Sequence, residues 1–302
     1  MLLGDRLVFS KAHYEAHTGV APAYLCELVV HCLELVSQLS HRGLAYRFKG
    51  GNSLLVLLEQ PERFSIDVDI VTTAAKEDLV GLVGRIADDC DVFVRWESRA
   101  PKTKPWLPLI SFKLFFESVY QPPEEAFVML DVVLEPPPYP GVIRRVRCGS
   151  LYESDQEVEV PSVSGLIGDK LLAIGPSTLG IPLGKHKEAQ RLKHLFDVAL
   201  LSRQGYDREA VRQALGTCQA QEERIQGRSF TWGEIVQDTA RFCSEPLGHP
   251  EPPALQTLDT GSYLYEIVKG FAEFRTHLLR VDYTWRDFQT DARRVKELLA
   301  TI

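Results

Sequence analysis

Asp67 and Asp69 lie in a run of alternating apolar and acidic residues, shortly after two adjacent glycines, Gly50 and Gly51. Successive side chains of a strand point to opposite faces, so both carboxylates would share one face while their apolar neighbours point into a core. Two neighbouring carboxylates repel each other unless a cation lies between them, and Mg²⁺ favours carboxylate and phosphate oxygens. Because glycine lets a backbone approach a phosphate closely, the pattern predicts a magnesium and phosphate site.

A third aspartate, Asp131, lies inside an apolar run long enough to cross a core. An ionised carboxylate is costly there unless it is paired or bound to a metal. If its strand lies beside that of Asp67 and Asp69, the three carboxylates suit two-metal catalysis of an in-line displacement at phosphorus. Asp131 would then be a third metal ligand, or the base that takes a proton from an attacking hydroxyl. A structural ion pair with a basic residue is the alternative.

The elements predicted around these residues form a mixed sheet with flanking helices. Periodicity and turn residues predict strands over 45–49, 65–72, 92–96, 109–116, 126–134 and 142–147, with helices over 22–42, 53–58 and 76–88. After Pro161 helical periodicity dominates, over 162–174, 186–204, 207–226, 230–243, 254–280 and 284–300. We therefore predict an α+β fold: a domain over residues 1–160 built on one mixed sheet, followed by an α-helical domain over 161–302.

The charge balance argues against a generally basic nucleic-acid binder. The chain has 302 residues, of which 45% are hydrophobic and 25% charged, and its net charge is −7. Any RNA must therefore be held by clustered basic residues. The segments 185–194 and 144–147 are such clusters, and each could bind phosphates or simply be a solvated face.

The six cysteines are scattered without a C-x-x-C pair, which predicts free, mostly buried thiols in a reducing cytoplasm. The histidines do not pair with them at metal-ligand spacing, so no zinc site is expected. The N-terminus lacks the pattern of a signal peptide, and no window approaches 18 uninterrupted apolar residues. We therefore expect a cytoplasmic protein without a membrane span.

Several motifs in order carry a family resemblance. They are Lys-Gly-Gly at 49–51, Arg-x-Ser-x-Asp-x-Asp at 63–69, Gly-Asp-Lys-Leu at 168–171, Pro-Ser-Thr-Leu-Gly-Ile-Pro at 176–182 and Lys-x-x-x-Asp at 193–197. Together they resemble the AbiEii/AbiGii (MenT-like) nucleotidyltransferase toxins, which belong to the DNA polymerase β-type nucleotidyltransferase superfamily. The resemblance covers about residues 45–200, and residues 205–302 match no motif. Asn52 departs from the family, which more often has Thr or Ser there, so that phosphate contact could pass to Ser53.

The resemblance implies the nucleotidyltransferase fold and a set of site residues. The implied catalytic residues are Asp67, Asp69, Asp131, Lys170 and Asp197. The implied ligands of Mg²⁺, with two ions expected, are Asp67, Asp69 and Asp131. The implied nucleotide-binding residues are Gly50, Gly51, Asn52, Ser53, Ser65 and Lys170. Three alternatives stay open: Ser65 could bind phosphate or orient Asp67, Lys170 could neutralise the leaving pyrophosphate, and Asp197 could form a structural pair with Lys170 or Lys193.

The implied reaction moves a nucleoside monophosphate from an NTP to an acceptor hydroxyl, most simply the 3′ end of tRNA. The implied biology is a toxin of a type IV-like toxin–antitoxin or abortive-infection system with a cognate antitoxin. The helical domain is expected to complete the active-site cleft. Two other classes stay open: an enzyme that nucleotidylates protein, which would fit the acidic net charge, and a non-catalytic nucleotide-binding module.

Overall fold

The computed structural model describes residues 1–19, 21–58, 62–99, 107–122, 126–279 and 282–302. The chain divides into two compact units. The first consists of Met1–Pro137, Gly141–Pro161 and His277–Val281, and the second of Pro138–Pro140, Ser162–Thr276 and Asp282–Ile302.

The first unit is built on a seven-stranded mixed sheet. Its strands are β1 (Arg47–Lys49), β2 (Asp67–Val71), β3 (Phe93–Arg99), β4 (Leu109–Phe116), β5 (Phe127–Val133), β6 (Gly141–Cys148) and β7 (Tyr152–Pro161). Its helices are α1 (Lys11–His17), α2 (Ala23–His41), α3 (Ser53–Leu57) and α4 (Lys76–Asp89). The strand order is β3-β4-β5-β2-β1-β7-β6, with β2–β5 and β1–β7 parallel and the other pairs antiparallel.

Helix α2 forms the centre of this unit's core. It is long and apolar enough to cross a membrane by length and composition, but 83% of its most apolar window is buried inside the unit. It packs mainly on β7, while α4 packs on β3 at one edge of the sheet. Because Val68 and Ile70 of β2 are fully buried in the same core, the intervening Asp69 points to the other face.

Strand β7 was not predicted, and neither was the short helix α1. Residues 152–161 contain four acidic side chains at alternating positions, and acidic residues are poor strand formers. In the fold, these side chains lie across from the arginines of β6: Arg145 pairs with Glu157 and Arg147 with Glu153 in the strand register. Opposite charges facing each other stabilise a pairing that local propensity does not favour.

The second unit is helical in its described residues. Its helices are α5 (Val163–Leu172), α6 (Glu188–Leu201), α7 (Arg208–Gln226), α8 (Trp232–Ser244), α9 (Tyr263–Arg275) and α10 (Trp285–Leu299). The helix predicted over 254–280 is shorter than expected, because the Ser262 hydroxyl accepts a hydrogen bond from the Tyr265 amide and starts α9 there. Stacked and edge-on aromatic rings of α6, α9 and α10 form this unit's core.

Candidate active site

The turn between β1 and α3 is built on glycine. Gly50 has a backbone φ of +74°, in the left-handed region that glycine adopts without steric penalty. The Asn52 amide donates to the backbone oxygen of Asp67 at 3.3 Å, and the Ser53 hydroxyl donates to the backbone oxygen of Gly50 at 2.9 Å. Both side chains are buried. They therefore fix the shape of the turn and tie it to the start of β2.

The same turn lies directly against the Asp-x-Asp strand and the residues that precede it. A Cβ atom added at Gly50 would lie 2.0 Å from Asp69 Oδ2, and one added at Gly51 would lie 2.7 Å from Ser65 Oγ and 2.8 Å from Arg63 Nη2. No side chain fits at these distances. The two glycines therefore let the turn and these polar groups form one close-packed cradle, open to a ligand that approaches the backbone.

Strand register places four polar residues in one row across the sheet. Asp69 lies opposite Asp131 of the parallel strand β5 and opposite Lys49 of the antiparallel strand β1. Ser111 of β4 lies opposite Asp131 on its other side. Paired residues of neighbouring strands, about 4.8 Å apart, point to the same face. Asp67, two residues before Asp69, shares that face, so three carboxylates and one lysine lie together.

These carboxylates have access to water. Asp67 is exposed, and Asp69 and Asp131 are half-buried. The Ser111 hydroxyl donates a hydrogen bond to Asp131 Oδ1. No basic side chain within the described ranges forms an ion pair with Asp131. The ion pair considered as an alternative for this aspartate is therefore not formed there.

The donor set suits a hard divalent cation, although it is not a closed cage. In the part of the chain that the structure describes, no group of three or more His, Cys, Asp or Glu side chains is arranged to hold a metal ion. Mg²⁺ usually takes only one or two protein carboxylates and completes its shell with water and substrate phosphates. The in-register pair Asp69 and Asp131, with Asp67 on the same face, supplies such carboxylates. The residues therefore fit an ion that arrives with a nucleotide.

Lys170 and Asp197 form a buried ion pair in the second unit. Lys170 Nζ lies 2.7 Å from Asp197 Oδ2, and the two side chains are 4% and 0% exposed. Of the two lysines considered as structural partners, Lys170 thus makes the contact. Removal of one partner from such a pair would leave an uncompensated buried charge.

The segment 176–182 of the same unit is held by buried acidic residues that sequence reasoning did not select. Asp238 Oδ2 accepts hydrogen bonds from the amides of Ser177 at 2.8 Å and Thr178 at 2.9 Å. Arg191, paired with Glu266 at 3.2 Å, donates to two backbone oxygens at the end of the segment. The motif is therefore a well-anchored loop, and its anchors lie outside the motif.

The basic run 185–194 is not one continuous surface. Lys185 and Lys187 are exposed, but Arg191 is buried in its ion pair. His186 between the two lysines has a φ of +54°, uncommon for a residue with a side chain. Only the beginning of the run, before α6, therefore offers free positive charge to solvent.

Three residues near the carboxylates had no role assigned from the sequence. Lys49 and Ser111 flank the aspartate pair in the row across the sheet, and Arg63 lies against Gly51. Lys49 and Arg63 belong to motifs already noted, which is a signal that could have identified them. Ser111 had none, because its position depends on which strand pairs with β5.

Comparison with known proteins gives a family and a fold. A family model for the nucleotidyl transferase AbiEii toxin of type IV toxin–antitoxin systems matches residues 35–287. The solved structure of MenT4, a nucleotidyltransferase toxin from Mycobacterium tuberculosis H37Rv, has a TM-score of 0.53 at 16% identity over 97% of this chain and 98% of that chain. An antigenic nucleotidyltransferase-like protein from Paracoccidioides brasiliensis has a TM-score of 0.41 at 13% identity over 68% of this chain and 95% of that chain, too low to define a shared fold. No curated protein matches the sequence significantly.

Proposed function

This chain belongs to the AbiEii family of nucleotidyl transferase toxins of type IV toxin–antitoxin systems, and we propose that it transfers a nucleoside monophosphate from an NTP to the 3′-terminal hydroxyl of tRNA. The resemblance and the α+β nucleotidyltransferase fold predicted from the motifs are confirmed by the family match and by the likeness to MenT4. An NTP substrate and a cognate antitoxin follow from the family. The acceptor, the metal and the residue roles below are parts of the proposal.

One observation carries the proposal: Asp69, Asp131 and Lys49 lie in one row, with Asp67 on the same face and the Gly50 turn against Asp69. Carboxylates beside a turn that admits phosphate are the arrangement that phosphoryl transfer needs, because its catalysis consists mainly of positioning and charge stabilisation. A module that only held nucleotide would have no need of three carboxylates there.

In the proposed reaction, the oxygen of the acceptor hydroxyl attacks the α-phosphorus of the NTP. A new phosphodiester bond forms, the bond between the α-phosphorus and its bridging oxygen breaks, and pyrophosphate leaves with the bond electrons. The Gly50–Gly51 backbone and Ser65 position the phosphates, while Asn52 and Ser53 keep the turn in shape. Asp131, oriented by Ser111, accepts the hydroxyl proton or serves as a third ligand of the cation.

Asp67 and Asp69, with Asp131, would hold Mg²⁺. When bound, the ions neutralise phosphate charge and lower the pKa of the attacking hydroxyl. Lys170 is proposed to favour departure of the pyrophosphate, and its pairing with Asp197 keeps the ammonium charged in a buried position. The six cysteines are free and buried, which supports the proposed cytoplasmic location.

The test is a labelling experiment. Purified protein is incubated with Mg²⁺ and each α-³²P-labelled NTP in turn, together with total tRNA and cell protein. We expect label on tRNA, lost in an Asp67→Ala/Asp69→Ala double variant. The matched control is Asp78→Ala/Asp88→Ala, which removes the same charge from exposed positions on α4 and should label tRNA normally.

Each outcome decides between functions. Label on a protein band, lost in the same variant, would replace tRNA by a protein acceptor, the class that the net charge of −7 favours. No label on either acceptor, with nucleotide binding intact, would refute the enzymatic proposal and leave a nucleotide-binding module. Labelling that survives in the Asp67→Ala/Asp69→Ala variant would refute the assigned site.

A further inference from the structure

A basic groove lies at the β6 edge of the sheet in the first unit. It has a volume of about 890 Å³ and is open to solvent. One side carries three arginines of β6 and the turn that follows them, and the other carries the end of α3. The lining residues that matter here are Arg144, Arg145, Arg147, Val56, Leu57 and Leu58.

Two of the three arginines have no acidic partner in the described ranges. Arg145 is paired with Glu153 at 3.3 Å and with Asp155. Arg144 donates only to the backbone oxygen of its neighbour Ile143, and Arg147 only to that of Gly149. Both guanidinium groups are exposed. The groove therefore carries about two uncompensated positive charges on a chain whose net charge is −7, a local concentration that neither folding nor the proposed catalysis uses.

The groove is continuous with the candidate active site through a single short helix. α3 begins at Ser53, directly after the turn that contacts Asp69, and ends at Leu57, which lines the groove. A helix of five residues is only about 7 Å long. α3 packs on β6 and β7, so the distance between turn and groove is fixed within the first unit.

We propose that this groove binds the phosphodiester backbone of the RNA acceptor just before its reactive 3′ end; this inference rests on the proposed function. Guanidinium groups match phosphate geometry in bidentate contacts. A positive groove with an apolar rim is what single-stranded RNA uses, its phosphates on the arginines and its bases or riboses on side chains such as Val56 and Leu57. An acidic protein segment would satisfy the arginines equally, but would have no reason to lie beside the turn that holds the nucleotide.

The test compares Arg144→Ala/Arg147→Ala with wild type in RNA binding and in transfer. Binding of tRNA is measured by fluorescence anisotropy in the absence of NTP, over a series of salt concentrations. We expect the affinity to fall at least tenfold, and the slope of log K against log salt to become shallower by about 2, since each lost phosphate contact removes about 1. In transfer assays the KM for tRNA should rise at least tenfold, while the KM for NTP stays within twofold.

The matched control is Lys76→Ala/Arg85→Ala, which removes the same charge from exposed positions on α4 at the opposite edge of the sheet. This variant should keep the RNA affinity and salt slope of wild type. If both double variants lose affinity equally, the effect is one of general charge and the groove assignment is wrong. A folded groove variant that binds and modifies tRNA like wild type also overturns it.

The wild-type arm separates this inference from the proposed function. If wild type neither binds nor labels tRNA, the RNA acceptor itself fails, and the groove proposal fails with it. If wild type labels tRNA and only the groove variant loses capture of the purified cognate antitoxin, the groove is a protein-binding surface and the RNA assignment is refuted.

Discussion

Replacing Gly50 by alanine tests how closely the turn must approach Asp69. Gly50 has a φ of +74°, so a side chain there costs about 1–2 kcal/mol in backbone strain alone. The new Cβ would also lie 2.0 Å from Asp69 Oδ2, 2.8 Å from Cγ and 2.9 Å from Cβ. Because all three atoms are too close, rotation of the carboxylate cannot relieve the contact, and the turn or the whole aspartate must move.

The magnitude follows from these distances. Real Cβ atoms stay at least 3.0 Å from such neighbours, so the displacement at the Oδ2 atom is about 1 Å, enough to cost about 10²-fold in catalysis. Gly43→Ala is the matched control, since Gly43 has the same φ of +74° and nothing within 4 Å of an added Cβ. It should carry the backbone cost alone, a fall in Tm of about 2–8 °C, with transfer activity close to wild type.

The assay pairs transfer of labelled nucleoside monophosphate to tRNA with thermal unfolding of both variants. We expect Gly50→Ala to lose about 10²-fold more activity than Gly43→Ala. Gly50→Ala that transfers within threefold of Gly43→Ala would show that contact between the turn and Asp69 does not position the reacting groups.

Three further predictions concern buried polar groups. Lys170→Met or Asp197→Val alone should destabilise by about 3–5 kcal/mol, whereas the double variant should recover much of that loss, measured by urea unfolding. Burial lowers the pKa of His31 from 6.5 to about 4; the unfolded chain then binds more protons between these values, so about 3 kcal/mol of stability is lost as the pH falls from about 6.5 to 4, and His31→Phe should remove that part of the acid sensitivity. Asp238→Ala should cost about 3 kcal/mol in urea unfolding, because buried donors such as the Thr178 amide lose their acceptor.

Each of these has a result that contradicts it. A double variant at Lys170 and Asp197 no more stable than the single variants would mean that the pair is not the dominant contact of either residue. If it regains stability but not transfer, Lys170 acts in the reaction as well as in the fold. Acid unfolding of His31→Phe that follows the wild-type pH profile would refute the assignment to that imidazole. A wild-type midpoint for Asp238→Ala would show that the 176–182 segment has other anchors.

Much of the fold could be predicted from the sequence because its signals are local. The apolar stripe of α2 and its glycine stop, the alternation around Asp67 and Asp69, and the helix starts at Asp207 and Thr231 each depend on neighbours a few residues away. The glycine pair and the Asp-x-Asp motif likewise identify phosphate chemistry from spacing alone.

Only the tertiary structure decided what these residues meet. That Asp131 lies opposite Asp69, and Lys49 on its other side, depends on β2 pairing with β5 and β1, a choice made by the whole sheet. The acidic strand β7 forms because the arginines of β6 face it, and Lys170 pairs with Asp197 from another helix. Residue types and local spacing therefore determined the chemistry that this chain can perform, whereas contacts between distant segments decided which groups share a face, because packing and strand register are properties of the complete fold.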